Sequence, residues 1–177
     1  MSTESGLMTD GNLHPSAQRV ADAATKLGLT INIVTFEHST RTAVEAAQAV
    51  GCDVGQIVKS LVFTVKDEPV IALVSGANQL DTRKLAALFG VGRKQVERAT
   101  AETVRSATGF AIGGVPPFGH ATSTSIYIDK DLTQYDVIWA AAGTPNAVFA
   151  ITPTALVRAV SGHVSDLKAD PAAKAAN

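Results

Sequence analysis

The chain has 177 residues, of which 46% are hydrophobic and 18% charged, with a net charge of −1 at neutral pH. That length and balance fit one globular domain with a sizeable core and exclude a disordered chain. A charge so close to zero also excludes a protein that coats nucleic acid non-specifically, leaving only a local basic patch open.

Residues 1–13 read as a flexible N-terminus. A first helix begins near Pro15, sets Val20, Ala24 and Leu27 on one face and stops at Gly28. Residues 31–36 alternate apolar and polar and predict a strand. Thr42 and Glu45 have capping-box spacing and open a short helix that Gly51 closes. Residues 57–65 and 69–74 predict two strands joined through Lys66, Asp67 and Glu68 as a hairpin. Asp81 caps a helix through Leu88 that ends at Gly90, and Thr100 opens another that ends near Gly109. A loop over residues 109–119 follows, then short strands over 124–128, 137–141 and 147–151. Thr152 and Pro153 form an N-cap and first-turn pair for a last helix through Val160. Residues 163–177, rich in Ala, Lys and Asp, read as a flexible tail. The elements predict one mixed α/β domain over residues 14–162, with a curved mixed β-sheet or partial barrel flanked by short helices.

Two features carry chemistry. The loop over residues 109–119 holds four glycines and two prolines in eleven residues. Glycine admits positive φ and close approach of a ligand, and proline stiffens the path. A rigid backbone with open N–H groups suits a developing oxyanion that has no dedicated side chain to hold it. The bland alternative is a wide connection that needs several special dihedrals. The second feature is Lys59, which a strand would place on one face with Ile57, Leu61, Phe63 and Val65. A lysine there needs a partner or a water-filled pocket, unless it only snorkels at the strand entrance or blocks an edge.

Other chemistries find little support. His14, His38, His120 and His163 are scattered and there is no cysteine cluster, so no metal site is expected. His120, directly after the loop, reads as a solvated loop residue, with reach to a ligand as the alternative. Ser60, Ser75 and Ser123 lack a nucleophile-elbow setting, and the single Cys52 has no neighbouring histidine in sequence. Arg83, Lys84, Arg93, Lys94 and Arg98 fall within sixteen positions, as an RNA patch or a solvated helix face. One cysteine, no secretory pattern in residues 1–13 and no run near the ~20 apolar residues of a membrane span lead to a cytoplasmic expectation, with no membrane partner.

Several ordered motifs make the chain recognisable: Val58-Lys59-Ser60-Leu61-Val62, Gln79-Leu80-Asp81 with Lys84-Leu85, and Ala107-Thr108-Gly109-Phe110. Gly113-Gly114-Val115-Pro116-Pro117-Phe118-Gly119, Asp129 after a strand and Ala142-Gly143-Thr144-Pro145-Asn146 complete the set. On these, residues 42–156 resemble the YbaK/EbsC family of the prolyl-tRNA synthetase editing-domain superfamily of aminoacyl-tRNA deacylases. The resemblance implies a compact mixed α/β domain acting in trans on mischarged tRNA, with water attacking the ester and no metal, cofactor or protein nucleophile. It implies a catalytic Lys59 and a substrate pocket built from Thr42, Ser60, Gly109, Gly113, Gly114, Val115, Pro116, Pro117, Gly119 and Gly143. Lys84, Arg93 and Lys94 would contact the tRNA. The expected substrate carries a small amino acid such as alanine, serine, threonine or cysteine. The expected partners are the acceptor end of that tRNA and prolyl-tRNA synthetase or another synthetase. The alternative is a non-catalytic module that docks charged tRNA or a synthetase. The chain departs from many relatives at His120-Ala121-Thr122-Ser123-Thr124-Ser125 and at Gly143-Thr144-Pro145-Asn146.

Overall fold

Side-chain caps and left-handed glycines set where the helices start and stop. The computed structural model describes residues 12–171. In it, α1 (Pro15–Lys26) opens with its proline and turns away at Gly28, whose φ is +73°. The Thr42 hydroxyl accepts the Glu45 N–H at 3.1 Å to start α2 (Ala43–Val50). The Glu45 carboxylate reaches back to the Arg41 N–H at 2.7 Å, one residue earlier than a capping box requires. Asp81 caps α3 (Thr82–Leu88), Thr100 caps α4 (Ala101–Thr108) and Thr152 caps α5 (Pro153–Val160).

The strands form two sheets. β1 (Ile33–Thr35), β6 (Ile138–Ala141) and β7 (Ala147–Ile151) make an antiparallel sheet in the order β1-β7-β6. The second sheet holds β4 (Val96–Arg98), β2 (Val58–Val65), β3 (Glu68–Ser75), β5 (Ser125–Asp129) and β8 (His163–Ser165), in that spatial order. It is mixed, with β2 antiparallel to β3 and β4, and β5 parallel to β3 and β8. A parallel bridge between Ile57 and Trp139 joins the two sheets edge to edge. The expected curved mixed sheet is therefore a pair of sheets that do not close into a barrel. β3 lies between β2 and β5, and Ile71, Ala72, Leu73 and Val74 are wholly buried. A strand covered on both faces reads as a continuous apolar run, which is what its sequence shows. The main core gathers Val20 of α1, Ile71 and Leu73 of β3, Phe110, Phe118 and Phe149.

Three expectations need correction. The hairpin turn uses only Lys66 and Asp67, both at positive φ (50° and 68°), and Glu68 already belongs to β3. Two consecutive positive-φ residues match the twist of the flanking strands. β4 was not anticipated, because three residues carry no period. The tail expected from residue 163 onward instead begins with β8, which pairs in parallel with β5, and Leu167 behind it is wholly buried. Its alanine- and lysine-rich composition concealed a single apolar anchor. The flexible N-terminus expected over residues 1–13 lies outside the described residues except for 12 and 13, and so does the tail from 172 onward.

Candidate active site

A cleft of about 330 Å³ opens along the first half of β2, which stays paired with β3 but is left uncovered on the side where β4 lies farther along. The Gly76 N–H bonds the Ile57 carbonyl, so the backbone of odd-numbered β2 residues points to β3 and that of even-numbered ones points away. The Ala99 N–H takes the Val62 carbonyl at 3.0 Å, and β4 covers β2 only from Phe63 onward. Between that bond and the Ile57–Trp139 bridge, the outward backbone edge at Ser60 faces the cleft. Val58, Lys59, Ser60, Leu61 and Val62 all line it. The Ser60 hydroxyl is buried there and, among the described residues, has no hydrogen-bond partner. A buried hydroxyl of that kind is costly unless something else satisfies it.

Lys59 is half-buried, and its ammonium donates to the Asn78 carbonyl. Asn78 is itself fixed, its amide donating to Asp129 Oδ2 at 2.8 Å and Asp131 Oδ2 at 2.9 Å. Asp129 is wholly buried and fully engaged, accepting also the Ser75 N–H at 3.1 Å and the Asp131 N–H at 3.0 Å. The Ser75 hydroxyl donates to the Gly55 carbonyl at 2.7 Å. Asp131 pairs with Lys168 at 3.2 Å. The Asn78 amide, opposed by burial and helped by Lys168, holds the Asp131 carboxyl below the usual carboxylate range.

The glycine-rich loop divides into a buried stem and an exposed tip. Thr108 Oγ1 donates to the Val104 carbonyl at 2.7 Å and accepts the Phe110 N–H at 3.1 Å. At the far end, the Ala121 N–H bonds the Thr108 carbonyl at 3.0 Å. Arg19 of α1 donates to the Gly109 carbonyl at 2.5 Å and lies 4.4 Å from the centre of the Phe110 ring. Phe118 packs on Phe149 at 5.4 Å between ring centres. Only Ala111, Ile112 and Gly113 are exposed at the tip, and Ile112, Gly113 and Val115 reach the cleft. The Gly114 N–H closes a turn onto the Ala111 carbonyl at 3.0 Å.

The other expected loop residues stand behind the cleft. Gly109 serves as the left-handed end of α4, and Gly114, Pro116 and Pro117 are buried in the stem. Gly143 packs so closely on α1 that a Cβ there would lie 2.5 Å from the Ser16 carbonyl oxygen. Its neighbours Thr144 and Pro145 line the cleft instead, tied to the chain after β1 by Thr40, which donates to the Pro145 carbonyl at 3.1 Å. Gly119 turns the chain at a φ of +80° and does not line the cleft. His120 is not a solvated loop residue. Its Nε2 lies 2.7 Å from the Pro116 carbonyl, and burial lowers its pKa below the ordinary 6.5, opposed by that bond.

The expected tRNA contacts also stand apart from the cleft. Lys84 bonds Asp166 at 3.0 Å and the Lys168 carbonyl at 2.7 Å, fastening the C-terminal segment to α3. Arg93 and Lys94 sit in a 3-10 turn ahead of β4. Besides Lys59, the cleft is lined by two cations, Arg98 at the end of the same basic cluster and Arg41 just before the α2 cap. Sequence spacing gave no sign of Arg41. Trp139, Ala43 and Ala46 complete the apolar wall, and they too join the site only through folding. Thr42 lines the cleft as expected.

No group of three or more His, Cys, Asp or Glu suited to a metal ion occurs among the described residues. Burial, with Asp53 adding to it, pushes the Cys52 thiol up, and its S–H donates to the Asp53 carbonyl at 3.3 Å. A thiol so placed is a poor nucleophile. No helix among the described residues is long and apolar enough to cross a membrane.

An open pair of sheets, with Lys59 and the tip of a pinned glycine loop lining one cleft, defines a mixed α/β domain with a candidate ligand site. The aminoacyl-tRNA editing domain family matches residues 37–159, and the chain belongs to that family. It is 30% identical over 127 residues to the candidate Cys-tRNA(Pro)/Cys-tRNA(Cys) deacylase EbsC of Enterococcus faecalis, covering 71% of this chain and 76% of that one. The uncharacterized protein YwhH of Bacillus subtilis is 32% identical over 126 residues, covering 71% and 78%. The crystal structure of a candidate trans-editing enzyme for prolyl tRNA synthetase superposes with a TM-score of 0.85 at 49% identity, over 90% of this chain and all of the other.

Proposed function

We propose that this editing domain is a trans-acting aminoacyl-tRNA deacylase that removes a small mischarged amino acid, with Lys59 as its catalytic residue. Water attacks the ester carbonyl, the bond to the terminal ribose oxygen breaks, and that oxygen takes up a proton. The products are the amino acid and a tRNA with its terminal hydroxyl restored. The observation that carries the reading is that Lys59 lines the same cleft as Ile112 and Gly113 at the exposed tip of the glycine loop. An aminoacyl ester is already activated, so positioning and stabilisation of the developing oxyanion supply the rate. The Lys59 ammonium would take part of that charge and the loop tip the rest, with Ser60 anchoring the aminoacyl group. The apolar wall of Ala43, Ala46 and Trp139 suits a small side chain. Arg41 and Arg98 would meet the phosphates of the acceptor end, and Lys84 would not. The partners are the mischarged tRNA and, through it, prolyl-tRNA synthetase or another synthetase, and the setting is the cytoplasm.

The test is ester loss from a panel of prolyl-, alanyl- and cysteinyl-acceptor tRNAs mischarged with alanine, serine, threonine or cysteine. Turnover by the wild type and its loss in Lys59→Ala, with the melting temperature unchanged, are expected. Normal turnover in that variant would remove Lys59 from the mechanism. Binding without turnover by the wild type would make the chain a docking module instead.

A further inference from the structure

Lys59 does not reach its position by strand geometry alone. Its ammonium is held by a main-chain carbonyl in the turn after β3, and that turn has no regular secondary structure to fix it. What fixes it is the Asn78 side chain, whose two amide hydrogens meet two different carboxylates, Asp129 at 2.8 Å and Asp131 at 2.9 Å. Asp129 ends β5, the strand beside β3, and is wholly buried with both oxygens bonded. Asp131 is tied in turn to Lys168, which bridges back to Leu80 on the far side of the same turn. The Asp81 N–H and the Ala169 N–H lock that side through the Leu167 and Gln79 carbonyls at 2.8 and 2.7 Å. The turn is thereby clamped from below by β5 and from the side by residues 167–169.

We infer that Asn78, held by Asp129 and Asp131, is a positioning residue that sets the place of the Lys59 ammonium in the cleft, with the C-terminal segment as its outer brace. The inference rests on the assignment of Lys59 above and extends it to residues that touch no substrate. None of Asn78, Asp129, Asp131 or Lys168 lines the cleft, so an effect on turnover from them passes either through Lys59 or through the fold. Misplacing a reacting group by about 1 Å can cost on the order of 10²-fold in rate.

A double-mutant cycle with a mischarged tRNA separates this role from a merely structural one. Asn78→Ala should lower kcat by about 10–100-fold while KM stays within about threefold. In a Lys59→Ala background the same substitution should change the residual rate by less than about threefold, because the group it positions is gone. Where alanine leaves no measurable rate, Lys59→Arg is the background, and there Asn78→Ala should cost less than in the wild type, because a guanidinium does not fit the position that the Asn78 carbonyl sets for an ammonium. A normal kcat in Asn78→Ala, with Lys59→Ala inactive, overturns the inference and leaves the deacylase assignment standing. An equal loss in both backgrounds overturns it as well, because it shows an effect on the fold. Should Asn78→Ala fail to fold, Asp131→Ala removes one of the two tethers from the turn and is read by the same cycle. Normal turnover in Lys59→Ala would instead bring down the assignment on which the inference rests.

Discussion

Replacing Gly114 with alanine should push apart two loops that meet behind the cleft. A Cβ at Gly114 would lie 2.7 Å from the Gly143 carbonyl oxygen and 2.9 Å from the Thr144 Cα. These are backbone atoms, and Gly143 cannot retreat because it already lies against the Ser16 carbonyl. Overpacking of this kind costs about 1–3 kcal/mol. For a chain of this size each kcal/mol lowers the melting temperature by about 2–4 °C, so a drop of about 2–12 °C is expected. The functional effect should be larger, because the displaced segment carries the loop tip that reaches the cleft. Losing one oxyanion donor costs about 10²–10³ in kcat, and a misplaced tip should fall in that range. Gly113→Ala perturbs the tip itself, by strain and not by overpacking. Its added Cβ meets only the Pro145 ring at 3.8 Å, but the residue sits at a φ of +92°, where a side chain costs about 1–3 kcal/mol of backbone strain. Melting curves and single-turnover deacylation of both variants measure the two effects. Wild-type melting and turnover in Gly114→Ala would refute the claim that the two loops are locked together behind the cleft.

Arg41→Ala and Arg98→Ala should each raise KM and flatten its salt dependence, by about 0.7–0.9 in log–log slope per phosphate contact, with kcat little changed. Lys84→Ala should leave KM and its salt slope alone, because its partners are Asp166 and the Lys168 carbonyl. An unchanged slope in the first pair would remove them from the RNA interface. His120 should make the fold acid-sensitive: its folded pKa lies below the ordinary 6.5, so its contribution is intact above that pH and is lost as pH falls through the lower folded value. Melting temperatures of the wild type and His120→Gln, compared from pH 7.5 to 5, should converge as pH falls, and parallel curves would contradict this. Exhaustive dialysis against a chelator should leave the deacylation rate unchanged, with tRNA folding controlled separately. A loss restored by one divalent ion would sink metal-independence.

Local chemistry was legible in the chain wherever it is short-range. Thr42, Asp81, Thr100 and Thr152 each accept the backbone N–H their spacing called for, and Gly51 and Gly109 close their helices at φ of +77° and +80°. Those effects act within a turn, so sequence order is enough to place them. Lys59 stood out because a cation in an apolar strand is costly wherever that strand goes. Its partner could not be read the same way: Asn78 is nineteen residues away and is held by Asp129, fifty-one further on. β8 was missed for a related reason, since three residues gain a strand's hydrogen bonds only when β5 is already beside them.

The glycine loop shows where the boundary lies. Its composition established a stiff, strained path, but not which glycine faces the ligand. That was decided by packing: Arg19 and Ala23 of α1 press on Gly109 and Gly119 at the two ends of the loop, residues 114–118 are buried, and residues 111–113 are left exposed at the tip. The cationic rim was decided likewise, by the packing of α2 and β4 around the open edge of β2, which selected Arg41 and Arg98 over the denser cluster in sequence. By itself the sequence determined the helix ends, the strand-borne lysine and the family. Which side chains converge on one cleft was left to the tertiary structure, because convergence depends on contacts between segments that no local preference encodes.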